Sequence, residues 1–356
     1  MGDRKARMSL GKSTKILASL ALGLMALAPW EASAQEPVMD RPTTVGLYLQ
    51  SLSLVNTSAN SFMADFYVWT LSPENGPDPL ASFSLPQSQS RTILEHWTEH
   101  NDGTLWSVRQ VRAVMAKDWD MSNYPFDRHS VNLVIGPYSD ANTVPPFAID
   151  QKNSGFGSLA ASEGWQIQDF HLSVKAVRYP TNFGDPFAHS RSDSYKWIVA
   201  SFELHRKGGW LFANMMVGAY IAFFAAMLAC FMRTNHPPIF AGRMSLQIAA
   251  LFAIIINHRQ IVPSTGRLTI TTLPDELHLI LYVLVFVALL ITLRSRVLNE
   301  AGREEYAIRW ERRSTLVLLC IFLIANITLI GGALTAPPTR DMNDNITIQT
   351  LEQSPS

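Results

Sequence analysis

Cysteine is scarce in this 356-residue chain: only Cys230 and Cys320 occur, and both lie inside apolar runs. The polar part of the chain before them therefore has to be stabilised by a packed core rather than by disulfides. The chain also has no net charge, since its 29 Lys and Arg residues balance its 29 Asp and Glu residues. It therefore lacks the excess of positive charge that is typical of a nucleic-acid-binding protein. Zinc-ligand spacing, a nucleophile elbow and a phosphate-binding loop are also missing, so we expect no enzyme and no bound cofactor or metal.

The N-terminus has the composition of a secretory signal peptide. Five basic residues fall within the first 15 positions, the apolar run ILASLALGLMALAP follows, and ASA precedes Gln35. The run is too short to span a bilayer comfortably, and small residues stand at Ala32 and Ala34, where a signal peptidase needs them. We expect residues 1–34 to be cleaved and the mature chain to begin outside the cytoplasm. The alternative is an uncleaved first membrane helix.

Beyond Gly208 the chain is mostly apolar. Three runs long enough to cross a bilayer as helices begin at Trp210, Leu277 and Ser314. A further run, GRMSLQIAALFAIIINHRQIVP, contains polar residues but is apolar all round at its centre, so we interpret it as a fourth spanning helix with one side kept away from lipid. The loop RSRVLNEAGREEYAIRWERR is rich in arginine, which predicts that it is cytoplasmic and that the first half is outside.

The first half lacks helical periodicity and instead alternates at period two between turn-rich pieces such as SPENGPDP and EHNDG. The alternating segments are VGLYLQSLSLV, SFMADFYVWTL, SVRQVRAVM, SVNLVIG, WQIQDFHLSVKAVRY and YKWIVASFEL. This pattern predicts an antiparallel β-sandwich of roughly immunoglobulin size over residues 35–207. A four-helix transmembrane domain is expected over 208–336, and a short tail outside the cytoplasm over 337–356.

One loop, KDWDMSNYPFDRHSV, is specific enough to suggest a family. Its core consists of Tyr124, Pro125, Phe126 and Asp127. This core resembles the signature loop of the pentameric ligand-gated ion channels, the Cys-loop receptor superfamily. Lys117 and Val131 stand where animal members carry the two cysteines, as in the bacterial branch that lacks this disulfide. The segments SFMADFYVW, LHRKGGWLF and GRMSLQIAALF are similar to an early strand, the start of the first membrane helix and the pore helix of that family.

The resemblance implies a homopentamer in the bacterial inner membrane, with the N-terminal domain in the periplasm. A small molecule, whose identity it does not imply, would bind between β-sandwiches, and ions would pass along the second membrane helix. Two alternatives stay open: a non-conducting receptor that passes a periplasmic signal inward, and a β-sandwich binding module on a helical anchor. The short cytoplasmic loops count against the receptor, and the polar face of the second helix counts against the anchor.

The family's junction between β-domain and membrane implies roles for several residues. Asp127 is expected to pair with Arg206, and the Tyr124–Asp127 core is expected to couple ligand binding to gating. Proline fixes one backbone angle, so the loop tip can press its two aromatic rings into apolar surface. Asn56 stands where relatives often carry another acid, which puts a network of three members in doubt.

Aromatic residues near the loop PTNFGDPFAHSRSD are candidates for the ligand site, because the family's capping loop lies there. Tyr179 and Tyr195 bracket the loop, and Trp165 is a further candidate; their π-faces would attract a cationic ligand. Trp197, which alternates on the same strand pair, is expected to be a core residue.

The pore helix is expected to present one stripe to the ions. The alignment on the family's pore helix puts Ser245, Ala249, Phe252 and Ile256 on one face, with Phe252 and Ile256 forming an apolar constriction. Cation-selective relatives carry an acid just before the position of Arg243, whereas this chain has none between Glu203 and Asp275. With Arg243, Arg259 and Arg267 near the helix ends, we predict weak cation selectivity at most, leaning towards anions. His258 is expected to be a vestibule residue rather than a ligand.

Overall fold

The computed structural model describes residues 42–137, 147–161, 164–178, 194–233, 236–265, 270–339 and 348–349, without the side chains of 176–178, 194–195, 262–265 and 348–349. Within these ranges a β-rich region comes first and four helices follow. The strands are β1 (Thr43–Asn56), β2 (Ser61–Pro73), β3 (Phe83–Ser84), β4 (Ser88–Asn101), β5 (Thr104–Ala116), β6 (Arg128–Pro137), β7 (Phe147–Ile149), β8 (Gly155–Phe156), β9 (Trp165–Arg178), β10 (Ser194–Arg206) and β11 (Ile348–Gln349). The helices are α1 (Gly209–Ala229), α2 (Pro237–Thr265), α3 (Leu273–Glu300) and α4 (Glu304–Thr335).

The strands form two sheets. One has the order β4-β5-β2-β1-β7, with β8 also pairing with β1, and the other has the order β11-β9-β10-β6-β3. The long neighbours pair antiparallel, as the alternation predicts, but β7 and β8 run parallel to β1, so the region is not wholly antiparallel. All six predicted strands are present.

Side chains from both sheets share one hydrophobic cluster. Leu47 and Phe66 enter it from the first sheet, and Leu133 and Phe202 enter it from the second, each at most 2% exposed. Period-two alternation produces this arrangement, because successive side chains of a strand point to opposite faces. This shared cluster supplies the core that disulfides do not, since both cysteines are free.

The strand β4 was not predicted, because its sequence SQSRTILEHWTEHN has no buried face to impose alternation. It lies at the edge of the first sheet and pairs with β5 through the two-residue turn Asp102-Gly103. Both turn residues have positive φ, 47° and 73°, which is the backbone that a tight hairpin turn demands and that glycine adopts readily.

The four helices are each long and apolar enough to cross a bilayer, which indicates a multi-pass membrane protein. All four segments that the sequence predicts to span the membrane, including the one with polar residues, correspond to these helices. The start of α3 is fixed by Asp275, whose carboxylate accepts the backbone N–H of Thr272 at 2.8 Å, and by Pro274 in the first turn. The cores of α1, α2, α3 and α4 form a second hydrophobic cluster.

Candidate functional site

The Tyr124–Asp127 core lies between the two hydrophobic clusters. Tyr124 belongs to the cluster of the β-rich region, whereas Phe126 packs against the helical cluster and lies 5.3 Å from the ring of Phe212 in α1. The loop therefore has one aromatic ring in each part of the molecule, as the sequence suggested for its tip. Two residues of the helices, Met215 and Ile261, are in turn part of the β-rich cluster, so the two parts share apolar contacts.

The predicted ion pair between Asp127 and Arg206 is present and bidentate. Arg206 Nε donates to Asp127 Oδ1 at 2.7 Å and its terminal nitrogen donates to Oδ2 at 3.0 Å. Asp127 is 2% exposed. Burial alone would raise the pKa of Asp127, but hydrogen bonds from His129 and Arg206 more than offset it and hold that pKa below its usual value. The carboxylate is therefore ionised and fully engaged.

A third member of this network is His129, which sequence reasoning missed. Its Nε2 lies 2.7 Å from Asp127 Oδ2, and its side chain is fully buried. Asn56, which the resemblance matches to an acid of relatives, instead accepts the N–H of Ala59 in the turn after β1. The available signal for His129 was spacing, because it stands two residues after Asp127 at the start of β6, and side chains two apart on an extended backbone point the same way.

Aromatic rings surround the arginine of the pair. The Arg206 guanidinium lies 4.1 Å from the Trp165 ring and 4.9 Å from the Tyr124 ring. Trp119 contacts both Trp165 and His129, with ring centroids 6.0 and 4.9 Å apart. Cation–π contacts of this kind fix the guanidinium plane at a site from which water is excluded. The network is therefore rigidly built and closed to solvent on the side of the β-rich core.

Trp165 belongs to this network and not to a cluster with Tyr195. In the register of β9 and β10, Trp165 is opposite Arg206 whereas Tyr195 is opposite Val177. That offset corresponds to about 36 Å at ~3.3 Å per residue, so the two aromatics lie at opposite ends of the strand pair. The prediction that Trp165 binds a ligand with Tyr179 and Tyr195 is corrected accordingly. Tyr179 and the loop PTNFGDPFAHSRSD lie outside the described residues, as does the side chain of Tyr195.

Trp197, expected in the core, is buried.

The candidate pore stripe is exposed in the single chain. Ser245, Ala249, Phe252 and Ile256 all lie on the uncovered side of α2, with Phe252 60% and Ile256 59% exposed. The opposite side of α2 is buried against the chain's own helices and carries Arg243, Gln247, Ala250 and Ile254. The helix thus turns two polar side chains inward. It leaves five large apolar side chains at least 36% exposed, of which Phe252 and Ile256 are the most exposed; the others are Leu246, Ile248 and Ile255.

Arg243 does not lie at a pore mouth, which corrects one basis of the predicted ion selectivity. Its side chain is fully buried, forms an ion pair with Glu311 of α4, and donates to Thr292 Oγ1 at 2.9 Å and to the Met232 carbonyl at 2.9 Å. A buried guanidinium needs such partners, because desolvating an unpaired charge is very costly. Arg259 is exposed near the other end of α2, and the side chain of Arg267 lies outside the described residues.

Near the end of α2 that approaches the β-rich region, His258 is engaged by α3. Its Nε2 lies 2.8 Å from Asp275 Oδ1 and its Nδ1 lies 2.9 Å from the Tyr282 hydroxyl. The ring stacks on that of His278, with centroids 4.7 Å apart. These partners bind α2 to α3. Among the residues that the structure describes, no group of three or more His, Cys, Asp and Glu side chains is arranged to hold a metal ion.

No family model matches this chain, and no curated protein matches it. Its function is therefore inferred from its own residues and geometry.

Proposed function

We propose that this chain is a subunit of a homopentameric ligand-gated ion channel on the plan of the Cys-loop receptor superfamily, in a branch without the loop disulfide. In this proposal the two sheets form an immunoglobulin-like sandwich in the periplasm, and the helices cross the bacterial inner membrane. A small molecule binds between sandwiches of neighbouring subunits, near Tyr179 and Tyr195. The chain acts as a channel and not as an enzyme.

The observation that carries the proposal is the two-sided character of α2. A helix in lipid normally hides its polar side chains and exposes its apolar ones, as α2 does with Arg243 and Gln247. The stripe with Ser245, however, adds a hydroxyl to the exposed side at helical spacing from Phe252 and Ile256. Five copies around an axis would turn this stripe into rings, and rings of Phe252 and Ile256 would shut the path by excluding water.

A second observation concerns the edge strand β4. After its first residue, every residue of this strand is exposed, and its large apolar side chains Ile93, Leu94 and Trp97 lie on both faces. A long edge strand with exposed apolar residues on both faces is a liability in a monomer and a ready interface in an assembly. Contacts between neighbouring β-rich domains in a ring would cover this surface.

The Asp127 network supports coupling between the two halves. Asp127 immediately follows the aromatic that packs on α1, and Arg206 stands three residues before α1 begins. A displacement of β10 or of the loop would therefore reach α1 through a bidentate ion pair and through Phe126. A ligand that binds one arrangement of the sandwiches more tightly would shift the population of the pore's states by the same differential affinity.

The test uses an apolar-gate variant, because the ligand is unidentified. Purified wild type, Phe252→Ala and Phe286→Ala are reconstituted in liposomes, and the flux of potassium and of chloride is recorded without added ligand. Phe286 is the matched control, since it is a phenylalanine on α3 with a similar exposure of 55%. We expect Phe252→Ala alone to conduct, because removal of the ring lowers the dewetting barrier. If Phe252→Ala and the wild type both stay silent while the protein is folded, the gate assignment is wrong.

A further inference from the structure

The chain that follows α4 returns to the network around Asp127. Thr339 N–H donates to the Arg128 carbonyl at 3.0 Å, and Ser130 N–H donates to the Thr339 carbonyl at 3.0 Å, which forms a parallel bridge beside His129. The Arg128 guanidinium also donates to the carbonyl of Leu334 at 2.8 Å. This carbonyl lies in the last turn of α4, where carbonyls have no partner within the helix. The end of α4 is thus tied to the three residues that follow Asp127.

The Thr339 side chain is placed between two acceptors. Its Oγ1 lies 3.0 Å from His129 Nδ1 and 3.1 Å from the Arg128 carbonyl oxygen. Because the ionised carboxylate of Asp127 can only accept, His129 Nε2 carries a proton and donates to it. Nδ1 is then an acceptor when the imidazole is neutral and a donor when it is charged.

A hydroxyl can serve both states. With a neutral His129, the Thr339 hydroxyl donates to Nδ1. With a charged His129, the hydroxyl turns to donate to the Arg128 carbonyl and accepts from Nδ1–H. The Arg128 carbonyl keeps the Thr339 backbone N–H as a donor in either case. Both ring nitrogens of a fully buried histidine are therefore satisfied, and the ring keeps its Nε2–H on Asp127.

We infer that Thr339 is a positioning residue for the Asp127–Arg206 pair, acting through His129. The inference deepens the proposed function, because it gives the last membrane helix its own connection to the loop that couples the two halves. That connection is separate from the one through Arg206 and α1. Removal of the hydroxyl leaves a buried ring nitrogen without the partner it has here, so the ring and then the carboxylate lose their fixed orientation.

Charged groups lie close to His129 on several sides. Asp127 lies against Nε2 and Arg206 lies on the far side of that carboxylate. Lys117 approaches through the Trp119 ring, with its Nζ 5.6 Å from the ring centroid. On the neighbouring strand, His205 pairs with Glu203 at 3.0 Å, while the residue directly opposite His129 is Leu204.

The experiment compares Thr339→Val, Thr339→Ser and Thr328→Val with the wild type. Valine keeps the shape of threonine without the hydroxyl, and serine keeps the hydroxyl. Thr328 is the matched control, since its hydroxyl donates to the Ile324 and Ala325 carbonyls within α4. The midpoint of thermal unfolding of the full-length protein in lipid nanodiscs is measured for all four proteins at pH 8.

We expect Thr339→Val to lower the midpoint by about 2–6 °C, because the buried Nδ1 of His129 loses its hydrogen-bond partner. Thr339→Ser and Thr328→Val should match the wild type. A Thr339→Val protein that melts like the wild type overturns the inference, as does a loss that serine does not restore. If the valine variant does not fold, Thr339→Ala is measured in the same way.

These measurements require no ion conduction. A silent Phe252→Ala protein would therefore overturn the gate assignment, and with it the observation that carries the proposed function, and would leave the assignment of Thr339 to be decided by the melting curves. Conversely, a conducting channel whose Thr339→Val variant melts like the wild type would keep the function and remove Thr339 from the network.

Discussion

Gly208 joins β10 to α1 at a point where the loop that contains Tyr124–Asp127 leaves no room for a side chain. A Cβ at this position would lie 1.8 Å from the carbonyl oxygen of Pro125, which is backbone and cannot give way cheaply. The φ of Gly208 is −85°, an ordinary value for any residue, so the requirement for glycine is purely one of space. At the next position, Gly209, a Cβ would meet nothing within 4 Å.

We therefore predict that Gly208→Ala lowers the free energy of unfolding by about 1–3 kcal/mol, the range for forced overpacking. Gly209→Ala should be neutral or slightly stabilising, because alanine favours the first turn of a helix. Denaturant titration of both variants in the same detergent provides the comparison. Equal stability of the two would mean that the loop and α1 are not in contact as described.

Asp127→Asn tests the charge of the buried network without changing its shape. At pH 7 the variant should lose about 3–5 kcal/mol, because Arg206 and His129 keep their donors but lose the anion between them. The pKa of Asp127 is lowered in the folded state, so its stabilisation is present above its usual pKa of ~3.9 and is lost as the pH falls through the folded value. The difference between wild type and variant should accordingly narrow below pH ~4.

The unfolding free energies of both proteins, measured as a function of pH, check this prediction. A difference that stays unchanged down to pH ~2 would mean that the carboxylate does not carry the stabilisation. The role in gating adds a second expectation: once an activating ligand is identified, Asp127→Asn should require more of it or fail to open, while assembly survives.

How much of the network could be foreseen depends on distance along the chain. The resemblance predicts the pairing of Asp127 with Arg206, because the family places both groups at the junction, and the pair is present. His129 was within reach of strand periodicity. Thr339 was not, since it lies 210 positions from His129, and a lone threonine after two prolines has no pattern that predicts a β-bridge.

At the scale of elements, alternation predicted the strands that bury one face and failed for the strand that buries none. β2 alternates between buried and partly exposed residues over most of its length, whereas β4 is exposed throughout after its first residue. Period two is a signature of half-burial and not of strand backbone as such. An edge strand that is exposed on both faces, as β4 is, therefore escapes detection from sequence.

The resemblance to the family's pore helix groups the exposed stripe of α2 at helical spacing, and the same spacing groups a second, buried face that contains Arg243. Arg243, Gln247, Ala250 and Ile254 recur at intervals of three and four, and all are buried. The prediction that Arg243 lies at a pore mouth considers only how near this residue is to the helix end. Its face of the helix is buried, which excludes that position. The carboxylate that neutralises it belongs to α4, and no local pattern connects the two.

The Arg243–Glu311 pair gives a prediction for the helical bundle. Glu311→Leu should cost about 3–5 kcal/mol by leaving the buried guanidinium unpaired, and the double variant Arg243→Met, Glu311→Leu should recover most of that loss. The control is the exposed pair of Arg296 and Glu300 on α3, where Glu300→Leu should cost under ~1 kcal/mol. Unfolding in denaturant measures all three. Equal losses at the buried and exposed pairs would contradict the burial of Arg243.

For the whole molecule, the proposed arrangement of subunits predicts that the exposed side of α2 meets water and not lipid. Ala249 and Ala250 are adjacent, yet the first is exposed and the second is buried against its own bundle. In a background with Cys320→Ser, which removes the exposed native thiol, we expect Ala249→Cys to react with a charged, water-soluble thiol reagent in nanodiscs and Ala250→Cys to stay unreactive. A stripe that faced lipid would leave both unreactive, and the pore assignment would then be wrong.

The burial of Arg243 removes one of the reasons for predicting weak cation selectivity in such a pore. The absence of acidic residues between Glu203 and Asp275 still predicts that no carboxylate ring attracts cations from within α2. Arg259 remains exposed. Weak cation selectivity at most is thus still the expectation, and reversal potentials of the conducting Phe252→Ala variant in an asymmetric salt gradient measure it.

The buried pair of Arg243 and Glu311 also bears on the order of events during synthesis. Arg243 is made early in α2, whereas its partner emerges only after the whole of α3 has been translated, several seconds later at ~5–20 residues per second. Until α4 arrives, the growing chain has an arginine whose final counter-charge does not yet exist. The bundle can therefore close only after its last helix has been inserted, and truncated chains that end before α4 should be recognised as incomplete by the membrane quality-control machinery.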